Sequence, residues 1–311
     1  MQTLVVGGAG FVGSHLVDRL LADGHHVDVI DDLSTGSLSN LADARSRAGG
    51  VLKLHHLDIR SASVAELIAR RAPTVIFHLA VLPPGHSIVT SAEVAVGGTV
   101  NLLEAAAAAG VGKVVVTLPA TAYYGGVGAR DLPVKEGVLG AVTSAATVLA
   151  RSVADLLAHY REARGLEFTA LALAEVYGAR QRPHDGLVAA LFEARSTASA
   201  ASLPGDGRQA GDFVYIDDTV DAIVRAALKG SGLVVNVGTG TQTPARDVHA
   251  LVCPANPPWV PAPRREHEPV RFALSPVRAR IQLAWAPWTS LADGIAELLA
   301  NAAKAEPDAA E

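Results

Sequence analysis

The chain has 311 residues, half of them hydrophobic, and a formal net charge of −5. Its charges are interspersed in sign, which argues against nucleic acid as the main partner, and no stretch approaches the ~20 uninterrupted apolar residues of a membrane span. The one cysteine, Cys253, excludes an intrachain disulfide and a cysteine-based metal site, so a soluble cytoplasmic enzyme is the expectation.

The first apolar run, 2–6, reads as a β-strand; it leads straight into a glycine loop, so it cannot double as a cleavable signal peptide. That loop is GGAGFVG at 7–13, and it opens into a helical pattern over 12–23 that closes at Gly24. A second apolar run, 26–30, delivers Asp31. Strand, glycine turn, helix, strand and acid make the first unit of a dinucleotide-binding fold. Gly7 allows the tight turn, Gly10 lets the backbone approach a pyrophosphate, and Gly13 lets helix and strand pack closely. The helix N-terminus offers N–H groups and a positive dipole end to phosphates. Asp31 suits a ribose diol and repels a 2′-phosphate, which favours NAD over NADP.

Further β-type runs follow at 51–56, 74–79, 113–118 and 168–174, alternating with helical patterns at 61–71, about 90–109 and 145–164. This alternation predicts right-handed crossovers and a Rossmann-type, doubly wound parallel α/β sheet, with near-continuous apolar strands because helices cover both faces. After about residue 175 the rhythm breaks into turn-rich segments at 178–186 and 202–212 and a proline-rich stretch from Pro254 to Pro269. Residues 1–174 are therefore expected to form an NAD-binding domain. Residues 175–311 are expected to form a smaller C-terminal α/β substrate lobe over the carboxyl ends of the strands, with Leu233 to Val237 returning to the main sheet. The tail from Asn301 to Glu311 lacks a core-facing pattern and is expected to fray. His25-His26 and His55-His56 have no third ligand by spacing, so no metal site is expected.

Beyond the glycine loop, the chain carries LDIR at 57–60, FHLA at 77–80, GTVNLLEAA at 98–106 and EVYGARQ at 175–181. GDG with DFVYIDD at 205–218 and NVGTG at 236–240 complete the set. With these motifs the chain resembles the extended short-chain dehydrogenase/reductases, specifically the NAD-dependent epimerase/dehydratase group with its UDP-galactose 4-epimerase-like members. The resemblance covers essentially residues 1–298. It implies that Asp31, Asp32, Ser34, Thr35 and Gly36 hold the adenosine ribose, with Asp58 and Ile59 at the adenine. It further implies that Leu79, Ala80 and Val81 line the cofactor, and that Phe11, Val12 and Tyr177 contact it. In this family a bound NAD accepts a hydride from a sugar carbon, a tyrosine removes the hydroxyl proton, and a lysine four residues later holds the nicotinamide ribose.

That machinery is missing from the sequence. None of Tyr123, Tyr124, Tyr160, Tyr177 and Tyr215 has a lysine four residues on, and residues 136–228 contain no lysine. Counting back from the GLEFTAL strand puts Ala146 and Ala150 in the tyrosine and lysine slots, or Thr147 and Arg151 with a slip of one. Ala120 or Thr121 takes the serine slot. Glu175 and Gly211 replace an asparagine and an arginine that face the nucleotide diphosphate in the family, and Ala95 replaces a further asparagine.

Three residues are candidates for substitute chemistry. Glu175, at the carboxyl end of a strand, reads either as a desolvated general base or as a surface carboxylate at a domain junction. Tyr124 precedes Gly125 as a wall tyrosine does in the family, or acts on substrate; Thr121 could bond a substrate oxygen. His86 and Ser87 either line the substrate or belong to a solvated loop, and Arg180 and Arg182 either meet an anionic substrate group or cap a loop. Tyr160 and Arg164 share a helix face and read as surface or interface. The resemblance also implies a homodimer, formed by the helices near 90–109 and 145–164. An atypical isomerase, lyase or oxidoreductase acting on a sugar-like small molecule, an NAD-binding pseudoenzyme, and a non-redox enzyme on the same fold all remain open.

Overall fold

A computed structural model of the protein describes residues 1–81, 87–254, 259–263 and 269–305. Seven strands build its main sheet: β1 (Gln2–Val6), β2 (His26–Asp31), β3 (Leu52–His56), β4 (Val75–His78), β5 (Lys113–Pro119), β6 (Glu167–Leu173) and, after four short strands, β11 (Leu233–Val237). Their order is β11-β6-β5-β4-β1-β2-β3 and every pairing is parallel. Apolar side chains fill both faces of the central strands, as Leu4, Val5, Val114, Val115 and Val116 show by their complete burial. Each such side chain taken out of water contributes ~1.5–3 kcal/mol. The chain reverses direction between β1 and β4, and a crevice opens there beyond the carboxyl ends of the strands.

The helices follow from the spacing of their apolar residues and from their ends. Helix α1 (Phe11–Ala22) buries Gly13, Leu16, Val17 and Leu20 against the sheet, a 3–4 spacing that keeps one face inward. Helices α2 (Ala42–Arg47) and α3 (Ser63–Arg71) follow. The single helix expected near 90–109 is in fact three pieces: α4 (Ile88–Ala92), a π-helical segment Glu93–Gly98, and α5 (Thr99–Ala108). Gly98 accounts for the close approach at this irregular turn, since a Cβ there would stand 2.6 Å from Ile59 Cγ2. After the short α6 (Ala120–Tyr124) comes α7 (Ala145–Arg164), started by Ser144, whose hydroxyl accepts from Thr147 N at 3.3 Å, and ended by Gly165 at φ +66°.

The remaining elements divide between the sheet and the space above it. Strand β7 (Glu175–Tyr177) pairs in parallel with β10 (Phe213–Tyr215), β8 (Ser202–Pro204) with β13 (Val260–Ala262), and β9 (Ala210–Gly211) in antiparallel fashion with β12 (Thr243–Pro244). Helix α8 (Leu187–Ser196) precedes β8. Helix α9 (Ile216–Ala226) lies beside α1, bridged by Arg19 and Asp221 at 3.7 Å, so part of the 175–311 stretch belongs to the helical layer of the main sheet. Helices α10 (Ala245–Val252), α11 (Val277–Gln282) and α12 (Leu291–Ala305) complete the chain. The tail expected to fray from Asn301 is helical as far as Ala305, and residues 306–311 lie outside the described residues. No helix among the described residues is long and apolar enough to cross a membrane.

Candidate functional site

The glycine loop sits at the head of the crevice. Gly7 takes φ +81° and donates to Ile30 O at 2.8 Å, tying the loop to β2. Gly13 has no room for a side chain: a Cβ would stand 2.0 Å from Gly7 O. Gly10 is the N-cap of α1, and no side chain caps that terminus among the described residues. The first-turn N–H groups of α1 therefore point into the crevice unclaimed by side chains, which is the arrangement that takes a phosphate.

Asp31 closes β2 as a buried carboxylate. Its Oδ2 accepts from Ala9 N at 2.8 Å and its Oδ1 from Leu33 N at 2.9 Å, so the acid holds both the glycine loop and the turn after β2. Burial pushes its pKa up from the usual carboxylate range, and the two N–H donors oppose that shift. Each oxygen keeps a second lone pair for a ribose hydroxyl. Asp32 Oδ1 accepts from Ser34 N at 3.0 Å and Ser34 Oγ at 2.6 Å. Asp58 is clamped by Arg60, with Nη2 to Oδ2 at 2.6 Å, which holds its pKa below the ordinary value, and Arg60 Nη1 reaches Glu93 at 2.6 Å.

One cleft brings these groups together. It is lined by Gly7, Gly10, Phe11, Val12, Gly13, Asp31, Asp32, Ser34, Thr35, Asp58, Ile59, Leu79 and Ala80 from the sequence-derived set. Gly36 is packed behind the cleft, against Asp31 and Ala9. Val81 and Tyr177, expected at the cofactor, are buried. Tyr177 turns toward α12, where a Cβ on Gly294 would lie 2.2 Å from its hydroxyl. Asn40, Leu57, Arg60, Thr90 and Val94 also line the cleft. Asn40 had no motif to announce it; its amide donates to Ala9 O at 2.9 Å, across 31 residues of chain.

The far wall comes from the loop into α8, through Arg180, Arg182 and Asp185. Arg180 pairs with Asp18 on α1 at 2.7 Å, and Arg182 forks onto Asp185 at 2.8 and 2.9 Å. Glu175 Oε1 accepts from Leu187 N, the first residue of α8, at 2.7 Å. Thr121 is exposed on α6 at the carboxyl end of β5. Tyr124 is fully buried; its hydroxyl donates to Asn236 Oδ1 at 2.5 Å, and burial pushes its pKa far up. On α7, Ala146 is partly exposed and Ala150 fully buried. Arg151 directs its guanidinium at the carbonyls of Tyr123, Tyr124 and Gly140, at 2.8–3.0 Å. Tyr160 donates to Glu104 on α5 at 2.6 Å, with Arg164 3.6 Å from the same carboxylate. Ser87 caps α4, accepting from Thr90 N at 3.2 Å, and His86 lies outside the described residues. No group of three His, Cys, Asp or Glu side chains able to hold a metal ion occurs among the described residues.

A family model for the NAD dependent epimerase/dehydratase family matches residues 3–238. The chain belongs to that family. The UDP-glucose 4-epimerase of Mycolicibacterium smegmatis is 42% identical over 311 residues, covering 96% of this chain and 97% of the relative. The crystal structure of Thermotoga maritima UDP-glucose 4-epimerase with UDP-glucose superposes with a TM-score of 0.86 at 31% identity, over 95% of this chain and 96% of that one. The Thermus thermophilus UDP-glucose 4-epimerase in complex with NAD gives the same TM-score, identity and coverage. The seven-stranded sheet with smaller sheets above it is thus the architecture of family epimerases, and the strand order reversal places this chain's cleft where such folds bind dinucleotides.

Proposed function

We propose that the cleft holds NAD and that the chain acts on a nucleotide-sugar-class substrate by transient oxidation of a hydroxyl-bearing carbon. The observation that carries this reading is the uncapped N-terminus of α1, set behind glycines that admit no Cβ and opening on the same cleft as buried Asp31. The first turn of α1 would take the pyrophosphate, Asp31 the adenosine ribose, and the Asp58–Ile59 edge the adenine. NAD, when bound, supplies an acceptor that takes a hydride and can return it. The nucleotide-sugar class comes from the relatives, whose names give UDP-glucose as substrate.

The chain's own residues supply an unusual acid–base end. Thr121, exposed on α6 at the carboxyl end of β5, is the hydroxyl we assign to hold a reacting oxygen. Glu175, the other candidate, engages α8 with its carboxylate, which supports a role at the wall rather than as the proton acceptor. A second reading, a family member that binds NAD without turning over, is supported by the sequence: no tyrosine has a lysine four residues on, and the slots on α7 fall to Ala146 and Ala150, or to Thr147 and Arg151 with a slip of one.

One experiment separates the readings. Purified protein is titrated with NAD by calorimetry, then incubated with NAD and UDP-glucose or UDP-galactose while the sugars are resolved by chromatography. NAD binding with interconversion supports the enzyme; NAD binding with no conversion of either sugar supports the non-catalytic member. Absence of NAD binding removes both. We also propose a homodimer through α4 and α7, where Ile88, Val89 and Val148 are 52, 65 and 50% exposed. A monomer mass in sedimentation equilibrium would refute it.

A further inference from the structure

We propose that Arg180 is a cofactor-binding residue, the donor that takes the pyrophosphate from the far wall of the cleft. The inference rests on the reading that the cleft holds NAD, and it adds a contact that the glycine loop and Asp31 do not supply. Arg180 lies in the segment between β7 and α8 that forms this wall. Its backbone sits at φ +65°, a left-handed conformation for which glycine is the default residue. Backbone strain of this kind gathers at ligand clamps. The side chain is seated on α1, where Nη2 meets Asp18 Oδ2 at 2.7 Å. Asp18 stands two turns along α1 from Phe11, so the two share a face with His15 between them. The Phe11 and His15 rings meet edge to face at 5.7 Å, and a Cβ on Gly178 would stand 3.5 Å from Phe11 Cε2. The loop that carries Arg180 is therefore packed on the residue that opens α1, at the uncapped end that lines the cleft.

An unspent donor sets Arg180 apart from the other guanidiniums that line the cleft. Arg60 spreads its donors over Asp58 and Glu93, and Arg182 forks onto Asp185. Arg180 Nη1, by contrast, is buried and has no acceptor among the described residues. A buried N–H group without a partner is costly, and more so when it carries charge. A phosphate oxygen in the cleft would supply the missing acceptor through a charge-assisted hydrogen bond. The pyrophosphate would then be held from two elements, by the first-turn N–H groups of α1 and by a guanidinium reaching over from the segment before α8.

The test titrates NAD, ADP-ribose, adenosine and UDP separately into the full-length protein by calorimetry. Arg180→Met keeps the apolar stem and removes the donors and the charge. Its affinities for NAD and for ADP-ribose, which shares the pyrophosphate but lacks the nicotinamide, should fall by the same factor, about tenfold or more. Its affinities for adenosine, which has no phosphate, and for UDP should stay at the wild-type value. A second neutral variant, Arg180→Gln, should show the same pattern. If adenosine is weakened as much as ADP-ribose, Arg180 only supports the wall and the inference is overturned. If UDP is weakened and ADP-ribose is not, the guanidinium serves the substrate and the inference is overturned as well. If the folded variants bind NAD as the wild type does, the inference is overturned while the NAD reading stands. If the wild type does not bind NAD, that reading falls and takes the inference with it.

Discussion

Gly36 lies directly against Asp31: a Cβ on Gly36 would stand 2.8 Å from Asp31 Oδ1 and 2.9 Å from the Ala9 carbonyl carbon. The acid that would hold the ribose and the loop that would hold the pyrophosphate are thus packed on one side-chain-free position. Gly36→Ala should force the carboxylate off its Ala9 and Leu33 donors. Overpacking of this kind costs about 1–3 kcal/mol. We expect a lower urea midpoint together with NAD affinity reduced about tenfold or more. Calorimetry that found wild-type NAD affinity would disconnect Asp31 from the cofactor.

Tyr124 donates to Asn236 Oδ1, while the Asn236 amide donates to Val134 O at 2.9 Å. Tyr124→Phe leaves a buried acceptor without its donor, a loss worth about 1–3 kcal/mol. Stability should fall by that amount in urea denaturation, with NAD affinity unaltered. A variant of wild-type stability that had lost turnover would instead make the hydroxyl catalytic.

His78 is fully buried on β4, its Nε2 3.0 Å from Thr99 Oγ1, and burial pushes its pKa down from 6.5 to about 3. The unfolded chain takes up this proton near pH 6.5, the folded chain only near 3. Between those values the unfolded state binds the extra proton, so stability from this group falls with falling pH, by ~1.4 kcal/mol per unit. His78→Gln removes that slope. Its urea midpoint should decline less steeply than wild type from about pH 6 to about pH 5; parallel declines would mean the imidazole titrates normally.

Strand β11 is an outer edge of the sheet, and two side chains cover it. Arg278 Nη1 donates to Val234 O at 2.9 Å, and Glu136 Oε1 accepts from Asn236 N at 2.9 Å. An edge with open N–H and C=O groups templates pairing with another chain. The double variant Glu136→Ala, Arg278→Ala should therefore scatter more light than wild type on concentration, and the reverse result would show that α11 alone shields the edge.

Much of the binding half was legible because its physics is local. A glycine loop between a strand and a helix, with an acid closing the next strand, depends on neighbours in sequence, and Gly7, Gly10, Gly13 and Asp31 meet in one cleft as that pattern implies. Asn40 and Thr90 join the same lining from loops whose course depends on packing far along the chain, so no spacing reveals them. Val81 and Tyr177 are buried, a consequence of packing that no local spacing encodes.

The candidate chemistry shows the division most sharply. From residue types alone, Tyr124 and Glu175 are both capable of acid–base work, since capability is a property of the side chain. Which partner each one meets is a property of the fold: Asn236 lies 112 residues from Tyr124, and Leu187 comes to Glu175 only because β7 and α8 fold back on each other. By itself, then, the sequence determined the alternation of strand and helix and the dinucleotide-type loop, both set by short-range pattern. Only the tertiary structure decided that Tyr124 is a buried lock and Glu175 the cap of α8. Burial and hydrogen-bond partners arise from contacts between segments that no local pattern encodes.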